Sequence, residues 1–207
     1  MKKSILILFS VLVAQASLAQ QKKEKWHPFS NVPDLSFYAE VNGAYQLIAQ
    51  EVALGIGIKG AVTWNANNAI GFTYGNTINK FAPAFEPDSS VYLKNALTGL
   101  YYEYTMKPGK KVHLTFPLAV GVGNVYYDWR DLDPNGAASF PYEEEFYFYI
   151  EPAVKVEVKL APKWRLNGGL TYSIAPMGFD YKSVTNNDVT GPRFQLGIRF
   201  GKFWSAD

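Results

Sequence analysis

The chain has 207 residues, with 14 Phe, 14 Tyr, 5 Trp, 17 Gly and no Cys. Without cysteine there is no disulfide framework, thiolate zinc site, cysteine nucleophile or lipoprotein anchor cysteine. The 20 basic and 18 acidic residues are too evenly balanced for a nucleic-acid-binding chain, and so many aromatic residues exclude a disordered one.

Residues 1–19 read as a secretory signal peptide. Met1-Lys2-Lys3 supplies positive charge, Ile5 to Ala14 is apolar, and Ser17-Leu18-Ala19 places small residues before a cleavage point. The apolar run is shorter than the ~20 residues of a membrane-spanning helix. Removing it also removes Lys2 and Lys3, which leaves basic and acidic residues equal in number. Residues 20–34, which include His27-Pro28, form a polar arm, and residues 35–207 form the folded domain.

From residue 35 onward the dominant hydrophobic period is two, the period of a strand with two unlike faces. Leu35, Phe37, Ala39 and Val41 alternate with Ser36, Tyr38, Glu40 and Asn42. Val52, Leu54, Ile56 and Ile58 alternate with Ala53, Gly55, Gly57 and Lys59, and a weaker run spans Ile70 to Ile78. A second weak run covers about 93–106, and a strong one runs from Val112 to Gly123. The clearest segment is Phe146 to Leu160, whose second face carries Glu151, Lys155, Glu157 and Lys159. Two more follow, Trp164 to Ile174 and Arg193 to Phe200, making eight strands. Turn formers make the connections at Asn65–Asn68, Lys107–Lys111 and Ala161–Lys163 tight. The polar connections at about 79–92, 128–145 and 178–191 are long. Short and long therefore alternate, and only the first connection, near 46–50, is short where a long one belongs.

Eight amphipathic antiparallel strands fit an up-and-down barrel, either soluble with an apolar inside or transmembrane with an apolar outside. The transmembrane form accounts for three features. The less apolar face is small and mixed in charge. Aromatic residues gather at strand ends, with Trp64, Tyr102, Tyr104, Trp164, Phe203 and Trp204 toward the short turns and Tyr126, Trp129, Phe146 and Phe148 toward the long loops. Short turns also alternate with long loops. The chain thus resembles the small outer-membrane β-barrel proteins of Gram-negative bacteria over about residues 35–204. Gln195-Leu196-Gly197-Ile198-Arg199-Phe200 resembles their C-terminal assembly signal, although Lys202 stands at the second aromatic position. The resemblance implies an all-β, eight-stranded antiparallel barrel in the cell outer membrane, with a periplasmic arm. Outer-membrane lipid, lipopolysaccharide and the barrel-assembly machinery are the partners it implies, and the extracellular ligand is left open.

Strand parity points Glu40, Lys59, Glu103, Glu151, Lys155, Glu157, Lys159, Arg165, Arg193 and Arg199 inward. An eight-stranded interior is just wide enough for side chains to fill, so these charges are expected to pair and to plug the lumen. Trp64, Tyr104, Trp164, Trp204, Tyr126, Phe146 and Phe148 are the expected interfacial aromatics. The chemistry-bearing residues are sparse. The histidines are His27 and His113, and Glu103 is the one carboxylate expected near His113. No metal-ligand spacing occurs, and Gly55–Gly60 lies within a strand with no helix after it, so it is not a phosphate loop. Asp128, Asp131 and Asp133 lack the full calcium-loop pattern. The expectation is a non-enzymatic barrel without catalytic residues, metal or cofactor. Its outward loops would bind, adhere or stabilise the envelope through Phe81, Phe85, Trp129, Phe140, Tyr142 and Glu143 to Glu145. The alternatives are a narrow solute pore, a lipid-modifying enzyme using His113, and a soluble lipocalin-like carrier.

Overall fold

A long strand needs hydrogen-bonding partners on both edges, and closure is the only arrangement that removes edges altogether. The computed structural model of the protein describes residues 35–83, 91–129, 144–181 and 184–203, and there the sheet closes on itself. Its strands are β1 (Ser36–Ile48), β2 (Glu51–Trp64), β3 (Asn68–Thr77), β4 (Val91–Met106), β5 (Val112–Trp129), β6 (Glu145–Ala161), β7 (Trp164–Ser173) and β10 (Gly191–Lys202). Consecutive strands pair antiparallel, and β1 closes the barrel against β10. The eight-stranded reading of the sequence therefore stands. The signal segment, the arm with His27, Phe85, Asp131, Asp133, Phe140, Tyr142, Glu143 and Trp204 lie outside the described residues, as do the side chains of Asp128 and Trp129.

The barrel strands run from 10 to 18 residues, and a tilted strand needs only about 9–11 to cross a bilayer. Their alternation is inside out by the standard of a soluble protein. Phe72 is 71% exposed, Phe37 65% and Leu170 63%, whereas Glu157 and Arg199 are at most 1% exposed. A continuous apolar exterior around an ionic interior is stable only where acyl chains replace water outside. No helix among the described residues is long and apolar enough to cross a membrane.

Filling so narrow an interior takes matched large and small residues. Four inward tyrosines each face a glycine directly across the ladder: Tyr38 and Gly201, Tyr101 and Gly71, Tyr147 and Gly123, Tyr149 and Gly121. A Cβ on Gly123 would run into the Tyr147 ring. Gly123 is the space into which the Tyr147 ring folds, an aromatic-over-glycine device that also pins register.

The final connection departs from the polar loop expected over 178–191. It holds a two-stranded ribbon, β8 (Asp180–Tyr181) with β9 (Val184–Thr185), and one helical turn, α1 (Asn186–Val189). The Asp188 carboxylate caps that turn, accepting from the Thr185 backbone N–H at 2.8 Å and from its hydroxyl at 2.8 Å. The Ala49 N–H donates to the Asp188 carbonyl at 3.0 Å, so α1 is fastened to the turn between β1 and β2. The one connection that broke the alternation is thus tied to the last connection, on the adjoining strand.

Under this roof the interior holds an apolar cluster, with Thr77 and Asn95 buried beside it, which the small, mixed-charge face read from the sequence did not announce. Ile48, Leu93, Val125, Tyr127 and Tyr147 from the strands meet Phe81, Tyr181, Val184 and Val189 from the connections. Tyr127 stacks on Tyr181 at 5.7 Å and Tyr147 on Phe179 at 4.9 Å between ring centroids. Phe81, expected as an exposed contact residue, is 7% exposed and belongs to this cluster. An apolar side chain beside the lumen gains more by packing there than by reaching water.

Candidate functional site

Below the apolar layer, toward the short turns, the interior is ionic. Register decides which charges meet. Glu40 on β1 lies directly opposite Arg199 on β10 along one edge and opposite Lys59 on β2 along the other. His113 on β5 lies opposite Glu157 on β6, and Arg165 on β7 lies opposite Arg199. The two arginines would repel across the ladder were they not joined through Glu157, which accepts from Arg165 at 2.7 Å and from Arg199 at 2.7 Å.

Arg199 is the hub. Its Nε donates to Glu40 Oε2 at 2.6 Å. One terminal nitrogen donates to Glu103 Oε1 at 2.7 Å and to Glu157 Oε2 at 2.7 Å, while the other donates to Glu103 Oε2 at 2.6 Å. One guanidinium thus holds carboxylates from three different strands, using the fork geometry that a lysine ammonium lacks. Its flat face lies 4.5 Å from the Tyr38 ring centroid, and the Tyr38 hydroxyl donates to Glu103 at 3.3 Å and accepts from Tyr101 at 2.8 Å. Asn167 and Asn42 donate to the Glu40 carboxylate at 3.1 and 3.3 Å.

Higher in the barrel the pairing is looser. Lys155 donates to Gln195 at 2.8 Å and stands 3.8 Å from Glu40, as does Lys59, which also lies 5.5 Å above the Tyr101 ring. Arg193 donates to Glu151 at 3.1 Å, and Gln195 donates to the same carboxylate at 3.4 Å. Lys159, expected in the lumen, instead reaches the rim, where its ammonium donates to the Gly109 carbonyl at 3.1 Å. The structure thus brings Glu40, Lys59, Glu103, Lys155, Glu157, Arg165 and Arg199 into one assembly with Glu151 and Arg193 just above. Tyr38, Tyr101, Asn42, Asn167 and Gln195 join it. Their inward parity was readable, but nothing in the sequence marked them as partners.

His113 pairs with Glu157 at 2.8 Å, not with Glu103, which is taken up by Arg199. Its other ring nitrogen faces the Lys110 carbonyl at 3.1 Å. Both nitrogens are engaged and the side chain is buried away from the lipid-facing surface, so no free base is presented to a substrate. Among the described residues no group of three His, Asp or Glu side chains is arranged to hold a metal ion.

On the exterior, Trp64 lies 6.4 Å from Tyr102, and Trp164 lies 4.8 Å from Phe200, both near the short turns. Tyr104 is half-buried at the same end, while Tyr126, Phe146 and Phe148 flank the long loops. Phe203, read from the sequence as part of the aromatic girdle, turns inward instead, stacking on Tyr38 at 5.9 Å beneath the Arg165 guanidinium at 3.8 Å.

No family model matches the chain, and no curated protein matches it. Solved structures do. Neisserial surface protein A is 14% identical with a TM-score of 0.57, and the likeness covers 80% of this chain and 96% of that one. OprG from Pseudomonas aeruginosa is 9% identical with a TM-score of 0.54, over 83% of this chain and 96% of that one. A major outer membrane protein from Thermus thermophilus is 10% identical with a TM-score of 0.53, over 80% and 99%. The likeness is one of fold. Together with the apolar exterior it makes this chain a small eight-stranded transmembrane barrel of the outer-membrane type.

Proposed function

We propose that the protein is a closed outer-membrane barrel whose activity lies in its outward loops, in binding, adhesion or envelope stabilisation, and not in solute passage or catalysis. The observation that carries this reading is the double filling of the lumen. Arg199 clamps Glu40, Glu103 and Glu157 across the barrel, and the roofed cluster of Ile48, Leu93, Tyr127 and Val189 fills the loop end. An ion crossing the barrel would have to part Arg199 from its three carboxylates and then wet an apolar cluster.

In this reading the short turns, the arm and the last residues face the periplasm, lipid and lipopolysaccharide surround the exterior, and β10 is the strand read by the assembly machinery. The loops 79–92, 128–145 and 178–191 contain ten carboxylates against three basic residues, which favours a basic partner or one bridged by divalent cations. Among the expected contact residues, Glu144 is exposed and accepts from Asn124 at 2.8 Å. Planar-bilayer recording of the refolded protein tests the proposal. Silence is expected, and a steady ohmic conductance would replace it with the narrow-pore reading.

A further inference from the structure

We infer that the short-turn rim carries a binding site for an anionic phospholipid, built from Lys163 and Lys202 above an apolar groove on the outer face of β1, β2 and β3. The inference rests on the periplasmic orientation proposed above only for naming the leaflet, which would be the inner one.

The charge distribution comes first. Lys107, Lys110, Lys111, Lys163 and Lys202 are all exposed at the short-turn end. Among the described residues no exposed carboxylate accompanies them, because Glu103 and Glu157 at that level are buried around Arg199. Exposed lysines beside a bilayer attract anionic headgroups, and those that adjoin an apolar groove can hold the tails as well.

Two of these lysines are joined to a lipid-shaped surface. Lys202 lies on the outward face of β10, opposite Phe37 on β1. The Gly201 N–H donates to the Lys163 carbonyl at 3.1 Å, which sets the two lysines on adjoining chain segments. Together with Phe37, Pro162 and Phe200 they line a depression of about 320 Å³. Across Phe37 a second, larger depression of about 500 Å³ continues along the outer wall between Val62, Ile70, Phe72 and Leu100. Its floor is Gly60, over which a Cβ would meet nothing within 4 Å, and its walls are the bulky rings of Phe37 and Phe72. A cationic pair at the water boundary, continuous with an apolar trough that runs into the hydrocarbon, is complementary to a molecule with an anionic head and acyl tails. A soluble anion would leave the trough unused, and a neutral lipid would leave the charge unmatched.

The test is native mass spectrometry of the refolded full chain released from phosphatidylcholine vesicles containing phosphatidylglycerol as the minor lipid. Two lysines at the interface correspond to roughly thirty-fold enrichment of retained phosphatidylglycerol over its bulk share. Lys163→Gln with Lys202→Gln should abolish the enrichment, and Lys163→Arg with Lys202→Arg should keep it. The triple Gln variant of Lys107, Lys110 and Lys111 should leave it near wild type. Equal retention of the two lipids by the wild-type protein would overturn the inference. So would enrichment that survives the Lys163/Lys202 Gln pair, or that disappears with the triple variant instead. The heat-modifiable folded band checks each variant, and the wild-type arm decides the question even if a variant fails to fold. The readout does not depend on orientation, which protease shaving of the loops on intact cells tests separately.

Discussion

Arg199 shows how much can depend on one side chain in a lumen of this width. Its three carboxylate partners are all buried, so removing the guanidinium strips Glu103 of its ion pair and leaves Glu40 and Glu157 to the weaker compensation of Lys59, Lys155 and Arg165. Arg199→Gln is expected to lower folding stability by about 3–5 kcal/mol, and adding Glu103→Gln to that variant should recover part of the loss. Urea titration of the folded band in detergent measures both. The inward direction of these residues was legible, because parity along a strand follows from the sequence alone. The pairings were not legible. Glu40 meets Arg199 across 159 positions, and His113 meets Glu157 and not Glu103, because a partner is set by register between strands, which alternation leaves free.

At the level of elements, the tight connection between β1 and β2 is the most instructive. Ala49 and Gln50 both have positive φ, 50° and 66°, the pair of conformations that a two-residue hairpin turn needs to match the twist of its strands. Neither residue is glycine, so the turn holds both in the left-handed region. Ala49 is buried beneath α1, while Gln50 is exposed. Gln50→Gly should therefore raise stability by about 1 kcal/mol, the left-handed penalty less the extra backbone freedom of glycine in the unfolded chain. A shift in the urea midpoint would register it, and an unchanged midpoint would mean that the turn is not a source of strain. The eight long strands were visible in the sequence because each repeats its period several times. The roof was not visible, because β8, β9 and α1 are two to four residues long and display no period.

For the whole molecule, the decisive property is which surface meets lipid. A membrane-partitioning carbene reagent should label Phe72 and Leu170 on the exterior and spare Lys155 and Glu157, with residue-level mass spectrometry as the readout. The converse pattern would describe a soluble carrier. Outside-versus-inside polarity was the most legible feature of the sequence, since it follows from alternation and from the small, mixed-charge character of one face. The division of the interior into an ionic layer and an apolar layer was hidden. Ile48, Leu93 and Val125 face inward at strand ends, where an apolar residue of either parity fits an amphipathic pattern.

The hub guanidinium belongs to the final strand, and its partners belong to β1, β4 and β6. A chain released before that strand is made would present two raw sheet edges and three glutamates short of the one cation that joins them. The cation that settles the charge arrives together with the strand that seals the cylinder. Truncated products are therefore barred from a lasting fold on two counts at once, which gives the barrel its own proofreading of completeness, written into the order in which its charges are translated.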